Sequence, residues 1–150
     1  MVRQSQKGSG VIEILAVVSL MSLLLVMAGA NLQALNSSSQ NGAAQLLAFF
    51  KTARTKAIST TVAYRIQPIS ATQIITRFGA DCEDATVTFP DPDLALELPD
   101  GAIVTDTDWT LCYTPRGVSD DNFTISVFDL DNRSKTLEVL LGGAVRIYEE

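Results

Sequence analysis

An apolar run long enough to cross a lipid bilayer begins near the N-terminus and contains one charged side chain. The run extends from Val11 to Ala30, and its single charge is Glu13. About twenty apolar residues, at about 1.5 Å each in a helix, span a hydrocarbon core of about 30 Å. A charge costs about 2.5–3.5 kcal/mol at the centre of a membrane helix and less near an end. Glu13 therefore requires an explanation beyond simple anchoring.

A secretory signal peptide is one interpretation of this segment. Arg3 and Lys7 would form its basic region, and residues 28–30 (Ala-Gly-Ala) would form its cleavage site, so that the mature chain would begin at Asn31. The apolar run exceeds the usual length of about 7–15 residues for such a segment. A segment that is removed also has no use for the carboxylate of Glu13.

The same residues resemble the N-terminus of type IV prepilins and pseudopilins. In that family a short leader ends in Gly, and a prepilin peptidase cuts after it. The new N-terminus is methylated, and an acid at its fifth position begins an apolar helix. The resemblance implies cleavage between Gly8 and Ser9, N-methylation of Ser9 and an assembly role for Glu13. The acid would pair with the N-terminal amine of a neighbouring subunit. An interfacial acid that reaches the lipid headgroups is the alternative for Glu13.

Residues 31–59 are predicted to continue the helix as an amphipathic half. Apolar side chains recur there at helical spacing, namely at Leu32, Leu35, Leu46, Leu47, Phe50, Ala53 and Ala57. Weak helix formers at 36–39 and Gly42 favour a bend. The basic side chains of Lys51, Arg54 and Lys56 are interpreted as partners of the negative end of the helix dipole.

Residues 60–150 are predicted to form a β-rich head, because the apolar period changes from 3.6 to 2 after Ser59. The predicted strands are 61–67, 72–78, 85–89, 102–105, 109–113, 123–130, 135–141 and 144–148. Residues 90–101 contain three prolines and are predicted to be a loop with at most a short strand at 94–98. The last three strands are predicted to form a meander.

Two further segments are similar to the GspH/FimT family of minor pseudopilins. One is the end of the predicted helix, with Ala53, Arg54 and Ala57. The other is the C-terminal part, with a Pro115-x-Gly117 turn and a final strand marked by Gly143, Val145 and Ile147. The resemblance implies a pilin-like α+β fold, in which a long N-terminal helix with a transmembrane and an amphipathic half packs on an antiparallel β-rich head.

The predicted organisation has four parts: a prepilin leader at 1–8, a transmembrane helix at 9–30, an amphipathic half-helix at 31–59 and a globular head at 60–150. Basic side chains precede the apolar run, and the head is acidic. This distribution predicts a single crossing with the N-terminus in the cytoplasm and the head exported. The resemblance implies that the membrane is the inner membrane and that the head lies in the periplasm. The implied partners are prepilin peptidase and other pilin or pseudopilin subunits.

Composition argues against several classes of function. Residues 61–150 carry six basic and sixteen acidic side chains, a net charge of −10, which is the wrong sign for binding nucleic acid. The chain has no histidine and no nucleophile–base motif, so we expect no enzymatic activity and no cofactor. Asp129–Asn132 begins like a calcium loop, but Arg133 and Ser134 break the pattern, so we expect no metal site.

The two cysteines, Cys82 and Cys112, leave two alternatives open. They form a disulfide in an oxidising compartment, or they are two buried thiols.

Three functions fit the sequence. The first is a structural subunit of a type II secretion pseudopilus or a type IV pilus. The second is a pilus-associated binding module for an adhesin, cargo or DNA, which would use acidic loops at Asp91, Asp93, Asp120 and Asp121. The third is a secreted β-domain released by signal peptidase.

Overall fold

The computed structural model describes residues 9–35, 37–83 and 87–148, and it places side chains for 10–26, 37–83 and 87–148. The chain divides into two compact units between Ser37 and Ser38. The first contains helix α1 (Ser9–Leu35), and the second contains helix α2 (Ser38–Thr60) and the β-rich head. The sequence predicted one continuing helix. The described chain has two, and the division falls within the weak helix formers around Ser37.

Helix α1 contains no proline and is rich in Leu, Ala and Met, which favour a helix. Its serines are accommodated by bonds to the preceding turn. The hydroxyl of Ser19 donates to the carbonyl of Leu15 at 2.8 Å, and that of Ser22 donates to the carbonyl of Val18 at 2.7 Å. These two hydroxyls are thus satisfied within the helix itself.

Helix α2 packs through the predicted apolar stripe. Leu46, Phe50, Ala53 and Ala57 are completely buried, and Leu47 is partly buried against the core. The side chains of Leu32 and Leu35 lie outside those that the structure places. The sequence missed a second group of buried residues, namely Ser39, Gly42, Ala43 and Phe49. Complete burial of Leu46 or Phe50 contributes about 1.5–3 kcal/mol each.

The head contains eight strands within the described residues, and their bounds are β1 Ala63–Pro68, β2 Gln73–Gly79, β3 Phe89–Glu97, β4 Ile103–Val104, β5 Leu111–Tyr113, β6 Phe123–Phe128, β7 Ser134–Val139 and β8 Val145–Tyr148. They form two four-stranded sheets with the orders β3-β2-β1-β5 and β4-β6-β7-β8. All pairs are antiparallel. The predicted antiparallel head and its C-terminal meander are confirmed.

The predicted strand at 85–89 and the predicted loop at 90–101 were largely wrong. Strand β3 begins at Phe89 and continues through Pro90 and Pro92. Residues 87 and 88 are not strand, and 84–86 lie outside the described residues. Strand β3 is at the edge of its sheet, where proline is tolerated because one side of the strand needs no N–H donor.

One hydrophobic core lies between α2 and the two sheets. Phe50 of α2 meets the edge of the Phe123 ring of β6, with centroids 6.2 Å apart and planes at 86°. The core also takes Ile66 and Ile74 from the first sheet and Leu137 from the second. Helix α2 is therefore the element that joins the sheets.

Candidate functional site

Helix α1 exposes apolar side chains in every direction. Between Val11 and Val26 its large apolar side chains are each 50–73 % exposed, and they occupy consecutive positions around the helix. Apolar surface of this extent is stable only against lipid or another apolar surface. The side chains of α1 that the structure places therefore form an uncovered apolar surface.

Glu13 is the only charged residue within α1. Its side chain is exposed, and it makes no ion pair with the side chains that the structure places. It follows Ser9, the first residue of α1, by four positions, or about 6 Å along the helix axis. Gly8 lies outside the described residues, so cleavage between Gly8 and Ser9 and the methylation of Ser9 stay predictions.

Among the residues that the structure describes, no helix combines the length and the apolar character needed to cross a membrane.

Arg54 connects α2 to two loops of the head by hydrogen bonds. Its Nε donates to the carbonyl of Gly117 at 2.9 Å, and its Nη2 donates to the carbonyl of Gly142 at 2.9 Å. The sequence suggested that this guanidinium would pair with the helix dipole. The guanidinium instead donates to carbonyl groups in the β5–β6 and β7–β8 connections. Its positive charge strengthens these hydrogen bonds.

Two glycines allow these loops to approach Arg54. Gly117 and Gly143 have φ values of 73° and 78°, which other residues rarely adopt. A Cβ on Gly143 would collide with the carbonyl oxygen of Gly117, and a Cβ on Gly117 would lie 2.6 Å from Cδ1 of Ile58. The helix-end motif and the C-terminal motif, although distant in sequence, therefore meet at one place.

A disulfide joins Cys82 to Cys112. The Sγ atoms are 2.12 Å apart, the Cα atoms are 5.8 Å apart, and the bridge closes a separation of 30 residues. Cys112 is completely buried on β5. Arg65 of β1 adds a hydrogen bond from its Nη2 to the carbonyl of Cys82 at 2.6 Å. The segment after β2 is thus held against β5.

The segment from Asp129 that begins like a calcium loop forms a turn, which hydrogen bonds to the Asp129 carboxylate close. Its Oδ1 accepts from the backbone N–H of Asp131 and of Arg133, and its Oδ2 accepts from Nε of Arg133 at 2.9 Å and from the Ser39 hydroxyl at 3.1 Å. Burial opposes ionisation, but these bonds and the charge of Arg133 outweigh it and lower the pKa of Asp129. The carboxylate ties α2 to the β6–β7 turn.

Three of the four acids proposed for cargo binding have structural roles. Asp91 is 9 % exposed and accepts from Nζ of Lys56 at 2.7 Å, a bond that raises the pKa of Lys56. Asp120 accepts from the N–H of Cys112 at 2.8 Å, and Asp121 accepts from that of Asn122 at 2.7 Å. Asp93 is exposed.

The described residues contain no group of three or more potential metal ligands. Tyr113 is completely buried, and burial raises the pKa of its hydroxyl. It packs in the core with no access to a substrate.

No protein-family model matches the sequence, and no curated protein matches it either. Solved structures do resemble it. One is the type IV minor pilin FimU of Pseudomonas aeruginosa, strain PAO1, which is 16% identical and aligns over 74% of this chain and 88% of its own with a TM-score of 0.58. A second crystal form of FimU gives a TM-score of 0.57 over 73% of this chain and 92% of its own, also at 16% identity.

The third similar structure is the minor pseudopilin EpsH from the Type 2 Secretion System of Vibrio cholerae. It is 13% identical and aligns over 74% of this chain and 96% of its own with a TM-score of 0.54. At these identities the likeness establishes the fold. The α+β pilin-like fold predicted from the sequence is confirmed.

Proposed function

We propose that this chain is a structural subunit of the minor pilin or pseudopilin type, which joins a filament through α1. The observation that carries the proposal is the apolar surface of α1, where large side chains from Val11 to Val26 are at least half exposed. Such a surface requires apolar partners. The fold shared with FimU and EpsH supports the same conclusion.

Glu13 would select the partner. After cleavage between Gly8 and Ser9, the methylated amine of Ser9 carries a positive charge at the start of α1. The carboxylate of Glu13 in a neighbouring subunit pairs with that amine between packed apolar helices. An unpaired charge is costly in such surroundings, so the pair favours one register of two helices over others.

The same proposal gives the chain a single crossing of the inner membrane before assembly, with the head in the periplasm. This part rests on the sequence, in which Val11 to Ala30 contains twenty residues with no charge besides Glu13. Prepilin peptidase and other pilin-type subunits are its partners. The filament is a type IV pilus or a type II secretion pseudopilus.

The N-terminal mass of the mature protein tests the processing step. A chain that begins with methylated Ser9 supports the proposal. A chain that begins at Asn31 refutes it, because a signal peptidase would then have removed α1 up to Ala30.

Glu13→Ala tests the assembly role. We expect the variant to accumulate normally in the membrane and to be at least tenfold depleted from sheared filaments, since about 1.4 kcal/mol of lost pairing corresponds to tenfold. Ser19→Ala is the matched control, because the Ser19 hydroxyl bonds only within α1. Equal incorporation of the Glu13→Ala and unaltered chains would contradict the assigned role.

A further inference from the structure

A polar cavity lies on the head where β1 ends and the β4–β5 connection reaches the first sheet. Its volume is about 330 Å³, at the lower end of the range of about 300–1,000 Å³ for small-molecule sites. The cavity is lined by Gln67, Pro68, Thr107, Asp108, Trp109 and Thr110. It therefore has room for one small ligand or for one unit of a longer ligand.

Trp109 is the aromatic part of the lining, and three contacts hold its ring. The ring packs against Phe123, with centroids 5.1 Å apart, and against Phe50, with centroids 6.2 Å apart. Its Nε1 donates to the carbonyl of Asp106 at 3.1 Å. The side chain is nevertheless only partly buried. Because the ring is already fixed, a ligand that contacts it has little conformational entropy to remove.

Four polar side chains line the cavity beside this ring with their hydrogen-bonding groups unused. Those of Gln67, Thr107, Asp108 and Thr110 make no hydrogen bond or ion pair with the residues that the structure describes. Gln67 is partly exposed and the other three are exposed. The N–H of Asp108 donates to Oδ1 of Asp106 at 2.9 Å, which orders the backbone here. The cavity thus offers amide and hydroxyl donors together with amide, hydroxyl and carboxylate acceptors.

We propose that this cavity binds one pyranose unit of a neutral carbohydrate. A sugar hydroxyl both donates and accepts, so it can pair with the Gln67 amide, with the threonine hydroxyls and with the Asp108 carboxylate. The C–H groups of a pyranose ring are weakly positive and pack on the negative face of an aromatic ring, which Trp109 supplies. The inference concerns the head alone and goes beyond the proposed function, which depends on α1.

Other classes of ligand fit the cavity less well. No basic side chain is among the described residues that line it, and Asp108 repels a phosphate or an acidic sugar. A cation would be attracted by Asp108 and by the Trp109 ring, but it has no acceptor for the amide and hydroxyl donors. An apolar ligand would bury polar side chains without partners. A neutral ligand rich in hydroxyl groups satisfies all of them.

Intrinsic fluorescence of the full chain tests the binding directly, because Trp109 is the only tryptophan in the sequence. The titrants are maltose, cellobiose, lactose and di-N-acetylchitobiose, in a polyoxyethylene detergent, which carries neither sugar nor charge. We expect a saturable change in emission at millimolar concentrations with at least one of them, since exposed hydrogen bonds only replace bonds to water. Sorbitol, an open-chain polyol, is the control and should give no saturable change.

Two changes at Asp108 distinguish a sugar from a cation. Asp108→Ala should weaken the binding about five- to tenfold, because a hydrogen bond to a charged acceptor is lost. Asp108→Asn keeps an acceptor and should weaken it only about two- to threefold. A cationic ligand would lose affinity equally with both variants, because both remove the charge. Asp100→Ala is the matched control, since Asp100 is an exposed acid outside the cavity lining.

The inference is overturned if none of the four disaccharides gives a saturable change, if sorbitol gives the same change, or if Asp108→Ala binds as tightly as the unaltered chain. It is also overturned if choline or arginine amide binds and the sugars do not, because the cavity is then a site for cations. Trp109 stays unaltered throughout, since its contacts with Phe50 and Phe123 belong to the core. None of these outcomes depends on the N-terminal mass or on Glu13→Ala, which test the proposed function.

Discussion

Single side chains with charged groups hold the head together at points where elements end. Arg54 connects α2 to the carbonyls of Gly117 and Gly142, and Asp129 connects the first turn of α2 to the β6–β7 turn. In each case one long or branched polar group satisfies backbone groups that have no partner within a strand or helix. Each end of α2 is therefore held to loops of the head by a charged side chain.

Arg54→Ala should lower the free energy of unfolding by about 1.5–3 kcal/mol, because charged hydrogen bonds contribute about that much and a buried carbonyl loses its donor. Arg54→Lys should recover less than half of this, since an ammonium cannot reach both carbonyls with the geometry of a guanidinium. Urea unfolding measures both. Lys51→Ala, on the exposed face of α2, is the control and should change little.

The lowered pKa of Asp129 predicts an acid-sensitive contact. Because the folded pKa lies below the ordinary value of 3.8, the ionised carboxylate stabilises the head above that pH, and the stabilisation is lost as the pH falls below it. Asp129→Asn should therefore be less stable at neutral pH and should lose less stability between about pH 5 and about pH 2. Asp131→Asn is the control, because the Asp131 side chain is 74% exposed. Parallel pH curves for Asp129→Asn and the unaltered protein would contradict this role.

At the scale of elements, α2 packs against both sheets and holds them together. Its buried face includes Gly42, where a Cβ would lie 2.9 Å from the Cβ of Ala102 and 3.0 Å from Cγ1 of Val127. The sequence suggested a flexible point at this glycine. The structure uses it for close packing, because the segment leading to β4 and the strand β6 both approach the helix there.

Gly42→Ala should therefore destabilise the head, although alanine is the better helix former by about 1 kcal/mol. We expect overpacking of about 1–3 kcal/mol to exceed or offset that gain. Asn41→Ala is the matched control, since Asn41 is exposed one position earlier and should become neutral or slightly more stable. Thermal unfolding compares the two. A clear rise in melting temperature for Gly42→Ala would contradict this prediction. It would show that Ala102 and Val127 move to accommodate the added methyl group.

At the scale of the whole molecule, the two units have opposite surfaces. In the first unit the large apolar side chains from Val11 to Val26 lie on the outside. In the second unit an apolar core from α2 and both sheets lies inside an acidic surface. The first unit needs a partner to be stable in water, whereas the second contains its own core.

A fragment of residues 38–150 should therefore fold alone and stay monomeric at micromolar concentration. Every buried core residue among the side chains that the structure places lies within it, from Ala43 to Val139. We expect its unfolding midpoint in urea to match that of the head in the full chain in mild detergent. Loss of cooperative unfolding in the fragment would show that α1 contributes to the core.

The sequence by itself determined the α+β class of the fold, the apolar helix with its acid, the helical stripe at Leu46, Phe50, Ala53 and Ala57, and the C-terminal meander. These follow from local periodicity, which depends on neighbours along the chain. Only the tertiary structure decided that β3 includes Pro90 and Pro92. A proline is tolerated in a strand when its missing N–H would face away from a neighbouring strand, and this depends on the position of the strand in the sheet. Tertiary structure also brought Arg54, Gly117 and Gly142 together and bonded Cys82 to Cys112. Contacts between residues 30 to 88 positions apart leave no periodic signal, because they arise only when the sheets close on α2.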